Sequence, residues 1–122
     1  MPSRSRKGAG LAAEDQACIY LEKLGWQIVQ RNWRCRSGEI DLVARDRDTL
    51  VFVEVRSRTA PSRFGTAIEA VTPRKCRQVR ETAEVYLRLN RMTGTPVRFD
   101  AVAVTFAKDG TVQELKHIPN AF

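Results

Sequence analysis

Two acidic side chains near the middle of this sequence, Asp41 and Glu54, have the chemistry and the spacing to hold a divalent metal ion. They lie in the hydrophobic runs GEIDLVA at 38–44 and LVFVEVR at 50–56, which a short polar segment separates. Both runs are typical of β-strands, and the polar segment is typical of a hairpin turn. Magnesium is commonly held by one or two carboxylates, and it activates water in phosphodiester hydrolysis. The pair therefore indicates a metal-dependent nuclease.

The register of the hairpin decides whether the two acids meet. A four-residue loop at 46–49 pairs Arg45 with Leu50, and the same ladder then sets Asp41 opposite Glu54. Directly opposed residues hold their Cβ atoms roughly 4.5 to 5.5 Å apart. Two anions repel at that distance, so a natural sheet should avoid the pair or neutralise it, and a cation is the obvious neutraliser.

Alternation along the two strands predicts which side chains share a face. Glu39 and Asp41 share one face of the first strand, while Glu54 and Arg56 share one face of the second, with Glu39 opposite Arg56. An alternative stays open, in which Glu39 and Arg56 form an ordinary ion pair and the two acids lie on a solvated face in another register. The apolar face is expected to contain Ile40, Leu42, Ala44, Val51, Val53 and Val55.

Composition and charge narrow the class of protein. The 122 residues suit one domain, expected at 9–122 after a flexible basic arm at 1–8, and 43% hydrophobic with 29% charged residues describes an ordinary soluble protein. The net charge of +7 favours a polyanionic partner, and nucleic acid is the leading candidate. No secretory signal or membrane-spanning run is evident, so we expect no membrane partner.

The cysteines indicate the compartment. Cys18, Cys35 and Cys76 are odd in number and widely spaced, and no CxxC pair occurs. This pattern argues against a disulfide framework or a zinc knuckle. A reducing cytoplasm fits it best.

The remaining pattern predicts helices and strands around the hairpin. Thr72 and Pro73 together form a helix start signal, with threonine as N-cap and proline at the first helical position. The order helix, three strands, helix, two strands (αβββαββ) predicts an α/β fold with a mixed sheet flanked by helices. The expected elements are a helix at 9–24, strands at 26–33, 38–44 and 50–56, a loop at 57–66, a helix at 72–91, and strands at 97–107 and 111–118.

Glu14 is a third acid of interest because it shares the apolar stripe of the first helix. A buried acid is unfavourable unless it is paired or bound to a metal. The alternative is an edge position near the helix start, where the helix dipole favours an acid.

Basic residues cluster at the amino end of the second helix. Arg74, Lys75 and Arg77 are phosphate candidates there, although a solvated helix face explains most of that helix's charges. Arg58 and Arg63 fall in the loop after the acidic hairpin. Together with the basic arm, the residues expected to contact nucleic acid are Arg4, Arg6, Lys7, Arg58, Arg63, Arg74, Lys75 and Arg77.

The two acidic strands, with Phe64-Gly65 and Arg98-Phe99-Asp100, resemble the YraN family of small bacterial proteins. The resemblance covers about residues 9 to 106. That family is usually described as predicted endonucleases, distantly similar to archaeal Holliday junction resolvases within the PD-(D/E)XK nuclease superfamily. The resemblance implies a restriction-endonuclease-like core, with branched or structured DNA as a substrate and a homodimer as the assembly.

The resemblance also assigns roles to the site residues. It implies Asp41 and Glu54 as metal ligands, the Val55 carbonyl as a third donor, and Glu14 close to the metal. Arg56 departs from the pattern, because the superfamily usually has lysine there. Arginine stays charged and cannot act as a general base, so Arg56 would orient the scissile phosphate.

Three hypotheses follow. The first is a Mg²⁺- or Mn²⁺-dependent endonuclease acting on DNA, with Asp41, Glu54, Arg56 and Glu14 as its catalytic residues. The second is a nucleic-acid-binding module whose nuclease site has decayed, as the arginine at position 56 suggests. The third is an interaction protein of the recombination or repair machinery whose high pI is incidental.

Overall fold

The computed structural model describes residues 7–60 and 72–122, with the side chains of 7–11 outside the description. Five strands form one sheet in the order β1-β2-β3-β4-β5, in which β3 and β4 run parallel and the other neighbours run antiparallel. The expected α/β class with a mixed sheet and flanking helices is confirmed. The described elements are α1 (Lys7–Lys23), β1 (Gln27–Cys35), β2 (Gly38–Asp46), β3 (Thr49–Thr59), α2 (Pro73–Leu89), β4 (Val97–Phe106) and β5 (Val112–Ile118).

The sheet has a hydrophobic core on each face. Val51 and Val53 belong to the core that α1 covers, whereas Phe52, between them, belongs to the core that α2 covers. All three are fully buried. This run of consecutive apolar residues is expected for a strand covered on both sides. The strand that carries Glu54 is therefore held rigidly by packing from both helices.

The start of α2 follows the sequence signal. The Thr72 Oγ1 atom accepts a hydrogen bond from the Lys75 amide at 3.1 Å, and Pro73 occupies the first turn. The cap satisfies one of the amides that a helix start leaves without an intrahelical partner. It fixes the first turn of α2, and with it Lys75.

Two differences from the predicted boundaries involve expected site residues. α1 begins at Lys7, two residues before the helix start expected at position 9. β3 continues to Thr59, so Arg58 lies on a strand rather than in a loop. The cause of the second error is non-local, because parallel pairing with β4 extends the ladder as far as Thr59 and Phe106.

Gly38, at the start of β2, allows the β1–β2 turn to approach α2 closely. Its φ is +148°, and a Cβ atom added there would lie 3.0 Å from Gln78 Nε2 and 3.1 Å from Thr82 Oγ1. The Gln78 side chain also donates to the Ser37 carbonyl at 3.3 Å. The turn and the helix are thus in direct contact at a position where a side chain would be crowded.

Candidate functional site

The hairpin register is the predicted one near its turn. Arg45 pairs with Leu50, as expected. Asp46 and Thr49 also pair, so the turn contains two residues rather than four, and Arg47 within it adopts a φ of 61°. Two-residue turns with positive φ match the twist of the strands they join.

The β2–β3 ladder ends just before the two acids. Its last pair is Leu42 with Val53. One step further, the Asp41 Oδ2 atom accepts a hydrogen bond from the Val55 amide at 2.8 Å. A side chain therefore takes the place of a backbone acceptor, and Asp41 is not a simple cross-strand partner of Glu54.

Strict alternation on β2 is wrong at this point. Ile40 packs in the core under α2, whereas Leu42 packs in the core under α1, although the pattern predicts one face for both. On the neighbouring strand, Asn32 lies between the partners of Ile40 and Leu42 and adopts a φ of 52°. Glu39 makes its ion pair with Arg34 of β1 at 3.2 Å, so the expected opposition to Arg56 is replaced by a contact on the other side of the strand.

Glu54 is the most exceptional carboxylate of the site. It is only 2% exposed, and its Oε1 atom lies 3.4 Å from Lys75 Nζ. Within the described residues, its buried Oε2 atom has no hydrogen-bond partner. An unsatisfied buried acceptor lowers stability by about 1 to 3 kcal/mol, and by more when the group is charged. Such a group is expected where a ligand normally completes the bonding.

The electrostatics of the pair follow from burial. Burial, and after it the Asp41 carboxylate, raise the pKa of Glu54 to about 7, although Lys75 and Arg56 oppose the change. Burial also raises the pKa of Asp41 to about 6, against the lowering effect of the Val55 amide, with Glu14 and Glu39 adding to the rise. Both carboxylates are therefore short of positive charge, which is what a divalent cation supplies.

Glu14 is buried, at 2% exposure, so the alternative of an edge position near the helix start is wrong. Asn32 Nδ2 donates to its Oε1 atom at 2.9 Å, and Arg31 Nη2 lies 3.5 Å from the same oxygen. Arg31 also pairs with Asp15 at 2.9 Å. Glu14 acts on Asp41 through its charge, while protein donors engage its own carboxylate.

The oxygen atoms of Asp41 and Glu54 are the candidate ligands for Mg²⁺ or Mn²⁺. Across residues 7–60 and 72–122, no group of three or more His, Cys, Asp or Glu side chains is arranged to hold a metal ion. The carboxylate oxygens are nevertheless the hard donors that these ions prefer. The orphaned Glu54 Oε2 next to the Asp41 charge fits a cation, and the Val55 carbonyl stays a predicted donor.

Arg56 lies two residues beyond Glu54 on β3, so alternation gives both the same face. Its charge lowers the pKa of Glu54. Its Nε atom is buried, and the part of the chain that the structure describes offers this atom no hydrogen-bond partner. A buried guanidinium nitrogen with a free donor is suited to a phosphate oxygen.

The other basic residues separate into groups. Arg74 and Arg77 are exposed and line a cavity of about 540 Å³ with Ser37, Gln78 and Glu81. Lys75 points instead to Glu54, and Arg58 is half-buried on β3. Lys7 lies in α1 with its side chain outside the description. Arg4, Arg6 and Arg63 lie outside the described residues.

Asp100, on β4, is a further buried carboxylate to which the sequence pattern assigned no role. Asp100 is fully buried and accepts from Arg98 Nε and Nη2 at 2.9 and 3.0 Å, and from the Asn120 amide at 3.1 Å. His117 Nε2 lies 2.8 Å from it, and His117 Nδ1 lies 3.2 Å from the Tyr20 hydroxyl. An ionised carboxylate only accepts, so His117 Nε2 donates to Asp100, and Nδ1 is the ring nitrogen that meets the Tyr20 hydroxyl. His117 thus has a structural partner on each ring nitrogen.

These contacts set the charge of Asp100. Burial alone would raise its pKa, but the hydrogen bonds from Arg98, His117 and Asn120 lower the pKa below the ordinary value. The only sequence signal was the Arg98-Phe99-Asp100 motif, which marked the position without its partners. Asn32 was missed as well, although asparagine tolerates left-handed backbone better than most residues do.

Neither described helix combines the length with the apolar character that a bilayer crossing requires.

Comparison with known proteins places the chain in a family. Residues 13–104 match the family described as "Uncharacterised protein family UPF0102". A UPF0102 protein of Pelotomaculum thermopropionicum is 48% identical over 97% of this chain and 98% of its own length. UPF0102 proteins of Geobacter metallireducens and Frankia casuarinae are 43% and 40% identical, each over 98% of this chain and over 96% and 99% of their own lengths. The YraN-like resemblance is thereby confirmed at the level of the family, and the chain belongs to UPF0102.

Proposed function

We propose that this protein is a magnesium- or manganese-dependent endonuclease that hydrolyses phosphodiester bonds in DNA, on a restriction-endonuclease-like core. The observation that carries the proposal is the buried Glu54 carboxylate, whose Oε2 atom lacks a hydrogen-bond partner within the described residues. The neighbouring Asp41 carboxylate adds negative charge to the same place. Two undercompensated acids beside a basic surface are the expected features of a site that binds a divalent cation and a phosphodiester.

Asp41 and Glu54 would hold the ion, with the Val55 carbonyl and Glu14 as the further donors that the family resemblance implies. When bound, such an ion would activate water and stabilise negative charge on the phosphate. Asp41 is already oriented by the Val55 amide at 2.8 Å. This bond fixes one of its oxygens and leaves the other for a ligand.

Lys75 and Arg56 are the cations that act on Glu54. Arg56 would orient the scissile phosphate through its buried Nε atom, because a guanidinium donates without ever losing its charge. Lys75 Nζ, 3.4 Å from Glu54 Oε1, keeps one oxygen of that carboxylate partly neutralised while the other stays free for a ligand.

Arg74 and Arg77 line an open cavity beside the β1–β2 turn, on the same helix as Lys75. They would bind the DNA backbone next to the site without reading bases, since phosphate contacts carry no sequence information. Branched or structured DNA remains the substrate that the resemblance suggests.

A second function is favoured by Arg56 itself. The superfamily lysine is absent from that position, so a protein that binds DNA without cutting it is the rival proposal. In that protein Asp41 and Glu54 would be dispensable for DNA binding.

The test is a cleavage assay on single-stranded, duplex and four-way DNA with Mn²⁺. The natural chain is compared with Asp41→Asn, Arg56→Lys and the exposed control Glu114→Gln. We expect cutting by the natural chain and the control, none by Asp41→Asn, and an unchanged or higher rate with lysine at position 56. DNA binding with no cutting by any variant, and no Mn²⁺-dependent rise in Tm, would favour the rival.

A further inference from the structure

We propose that Asn32 is a positioning residue that sets the direction of the Asp41 carboxylate through a matched kink in β1 and β2. The inference rests on the proposed function only for what Asp41 does once it is in place. The kink, its cause and its effect on Asp41 are properties of the protein without any ligand.

The first step is the register between the two strands. Arg31 pairs with Leu42, and Trp33 pairs with Ile40. The positions between these pairs are Asn32 and Asp41. No residue is inserted in either strand there, so the irregularity is not an ordinary bulge, in which one strand carries an extra residue.

The second step is the exchange of faces. Arg31 and Leu42 lie on the α1 side, where Arg31 pairs with Asp15 and Leu42 joins the core under that helix. Trp33 and Ile40 pack on the α2 side. Residues two apart in a regular strand share a face, so both strands turn over at the same place.

The third step is the cause. Asn32 has a φ of 52°, a left-handed conformation that asparagine tolerates better than most non-glycine residues. Its Nδ2 atom donates to Glu14 Oε1 at 2.9 Å, and Glu14 is a buried residue of α1. Helix α1 therefore anchors the residue that turns β1 over.

The fourth step is the effect on Asp41. In a regular ladder Asp41 would stand on one face of the sheet, opposite Glu54. Because β2 turns over with β1, Asp41 leaves the ladder and its Oδ2 atom accepts from the Val55 amide. Glu14 and Asn32 thus act on the site through the backbone, in addition to the charge effect of Glu14 on Asp41.

The experiment follows the Val55 amide by NMR, through its chemical shift and its hydrogen-exchange rate. Asn32→Ala loses both the amide donor and the tolerance of positive φ, while Asn32→Gly loses only the donor. Asn120→Ala is the matched control, because Asn120 has a φ of 55° on the last turn after β5. The variant Asn120→Ala therefore introduces a comparable backbone strain in a different part of the chain.

We expect the Val55 amide to exchange about tenfold faster in Asn32→Ala, the loss expected for one hydrogen bond, with a smaller change in Asn32→Gly. Asn120→Ala should leave this amide unchanged after correction for global stability. The proposal is overturned if the Val55 amide behaves in both Asn32 variants as it does in the control.

A second measurement separates this inference from the proposed function. Mn²⁺ is titrated into the labelled natural chain and the Asn32→Gly variant, and the paramagnetic broadening of amides next to Asp41 and Glu54 gives an apparent Kd. We expect weaker Mn²⁺ binding in the variant and unchanged binding in the control. If the natural chain binds no Mn²⁺, the proposed function fails, and the Val55 amide still decides the role of Asn32.

Discussion

Two buried carboxylates on neighbouring strands, Asp100 and Glu54, are treated in opposite ways by the fold. Asp100 accepts from Arg98, His117 and the Asn120 amide, and its pKa is lowered. Among the described residues, Glu54 has one ion pair, at 3.4 Å to Lys75, and burial together with the Asp41 charge raises its pKa to about 7. Two carboxylates that are both shielded from solvent thus have opposite pKa shifts, because Asp100 has several donors and Glu54 has a second carboxylate beside it.

The two carboxylates contribute differently to the stability of the fold. Asp100 joins α1, β4, β5 and the residues after β5, because Tyr20 and His117 extend its hydrogen bonds to the first helix. Glu54 lowers the stability of the fold when its carboxylate is ionised and has an unsatisfied oxygen. A chain that retains such an acid in a rigid strand is expected to use it for a ligand.

The largest predicted effect is at Asp100. Asp100→Ala should lower the free energy of unfolding by about 3 to 5 kcal/mol, because the half-buried Arg98, His117 and the Asn120 amide all lose the buried acceptor that they share. Urea unfolding at pH 7 measures it. The natural chain should lose stability as the pH falls below about 3.9, the ordinary pKa of aspartate, because protonation of Asp100 removes its ionic contacts. Asp100→Asn keeps the side-chain volume and should abolish this pH dependence of the unfolding free energy. A loss under 1 kcal/mol in Asp100→Ala would break the comparison.

The next effect has the opposite sign. The folded protein keeps a proton on Glu54 up to about pH 7, whereas the unfolded chain loses it near the model value of 4.5. The folded state then binds more protons, so its stability falls as the pH rises between these values. Glu54→Gln should remove this fall and raise the free energy of unfolding by roughly 1 to 3 kcal/mol at pH 8.

Urea unfolding of Glu54→Gln and of the exposed control Glu114→Gln, at pH 4.5 and pH 8, measures that gain. The control should match the natural chain at both values. A variant less stable than the natural chain at pH 8 would mean that Lys75 satisfies Glu54 fully, and the contrast with Asp100 would disappear.

A smaller effect sharpens the extent of the Asp100 region. Tyr20→Phe removes the hydroxyl that meets His117 Nδ1 at 3.2 Å and keeps the ring contact with His117. The expected loss is about 0.5 to 1.5 kcal/mol, the usual value of one neutral hydrogen bond. Thermal unfolding detects it, and the loss should vanish in the Asp100→Ala background, since the two residues act on the same histidine.

The smallest effect on stability is expected at the exposed arginines. Arg74→Ala and Arg77→Ala should change the free energy of unfolding by less than about 0.5 kcal/mol. If they contact DNA, each should weaken binding to all sequences and reduce the salt slope by about 1. Fluorescence anisotropy with duplex DNA between low and moderate salt measures this, with the exposed Lys108→Ala as control. Equal slopes in all variants would remove these arginines from the DNA surface.

The sequence predicted what depends on local chemistry. The Thr72 cap and the pairing of Arg45 with Leu50 follow from neighbours in the chain, and the mixed sheet follows from the order of helices and strands. All three are confirmed. The failures come from distant contacts. Ile40 lies on the face opposite to Leu42, beside the left-handed Asn32 of the neighbouring strand, and Arg58 lies on a strand because β4 pairs with it.

The site shows the same division. The two acids were predicted from alternation and spacing, but their contacts come from residues distant in the chain, the Val55 amide for Asp41 and Lys75 for Glu54. Lys75 was predicted as a phosphate contact, and the sequence pattern did not indicate its ion pair with Glu54, which joins α2 to β3. His117, for which no partner was predicted, has one on each ring nitrogen.

Gly38 has a consequence for the spacing of charges. The glycine lies three positions before Asp41 in β2 and touches Gln78, which follows Lys75 by one helical turn. A methyl group at position 38 would lie 3.0 Å from Gln78 Nε2 and 3.1 Å from Thr82 Oγ1, so both side chains would have to shift by a few tenths of an ångström. The hydrogen atom at position 38 therefore allows the β1–β2 turn to lie directly against the helix that carries Lys75.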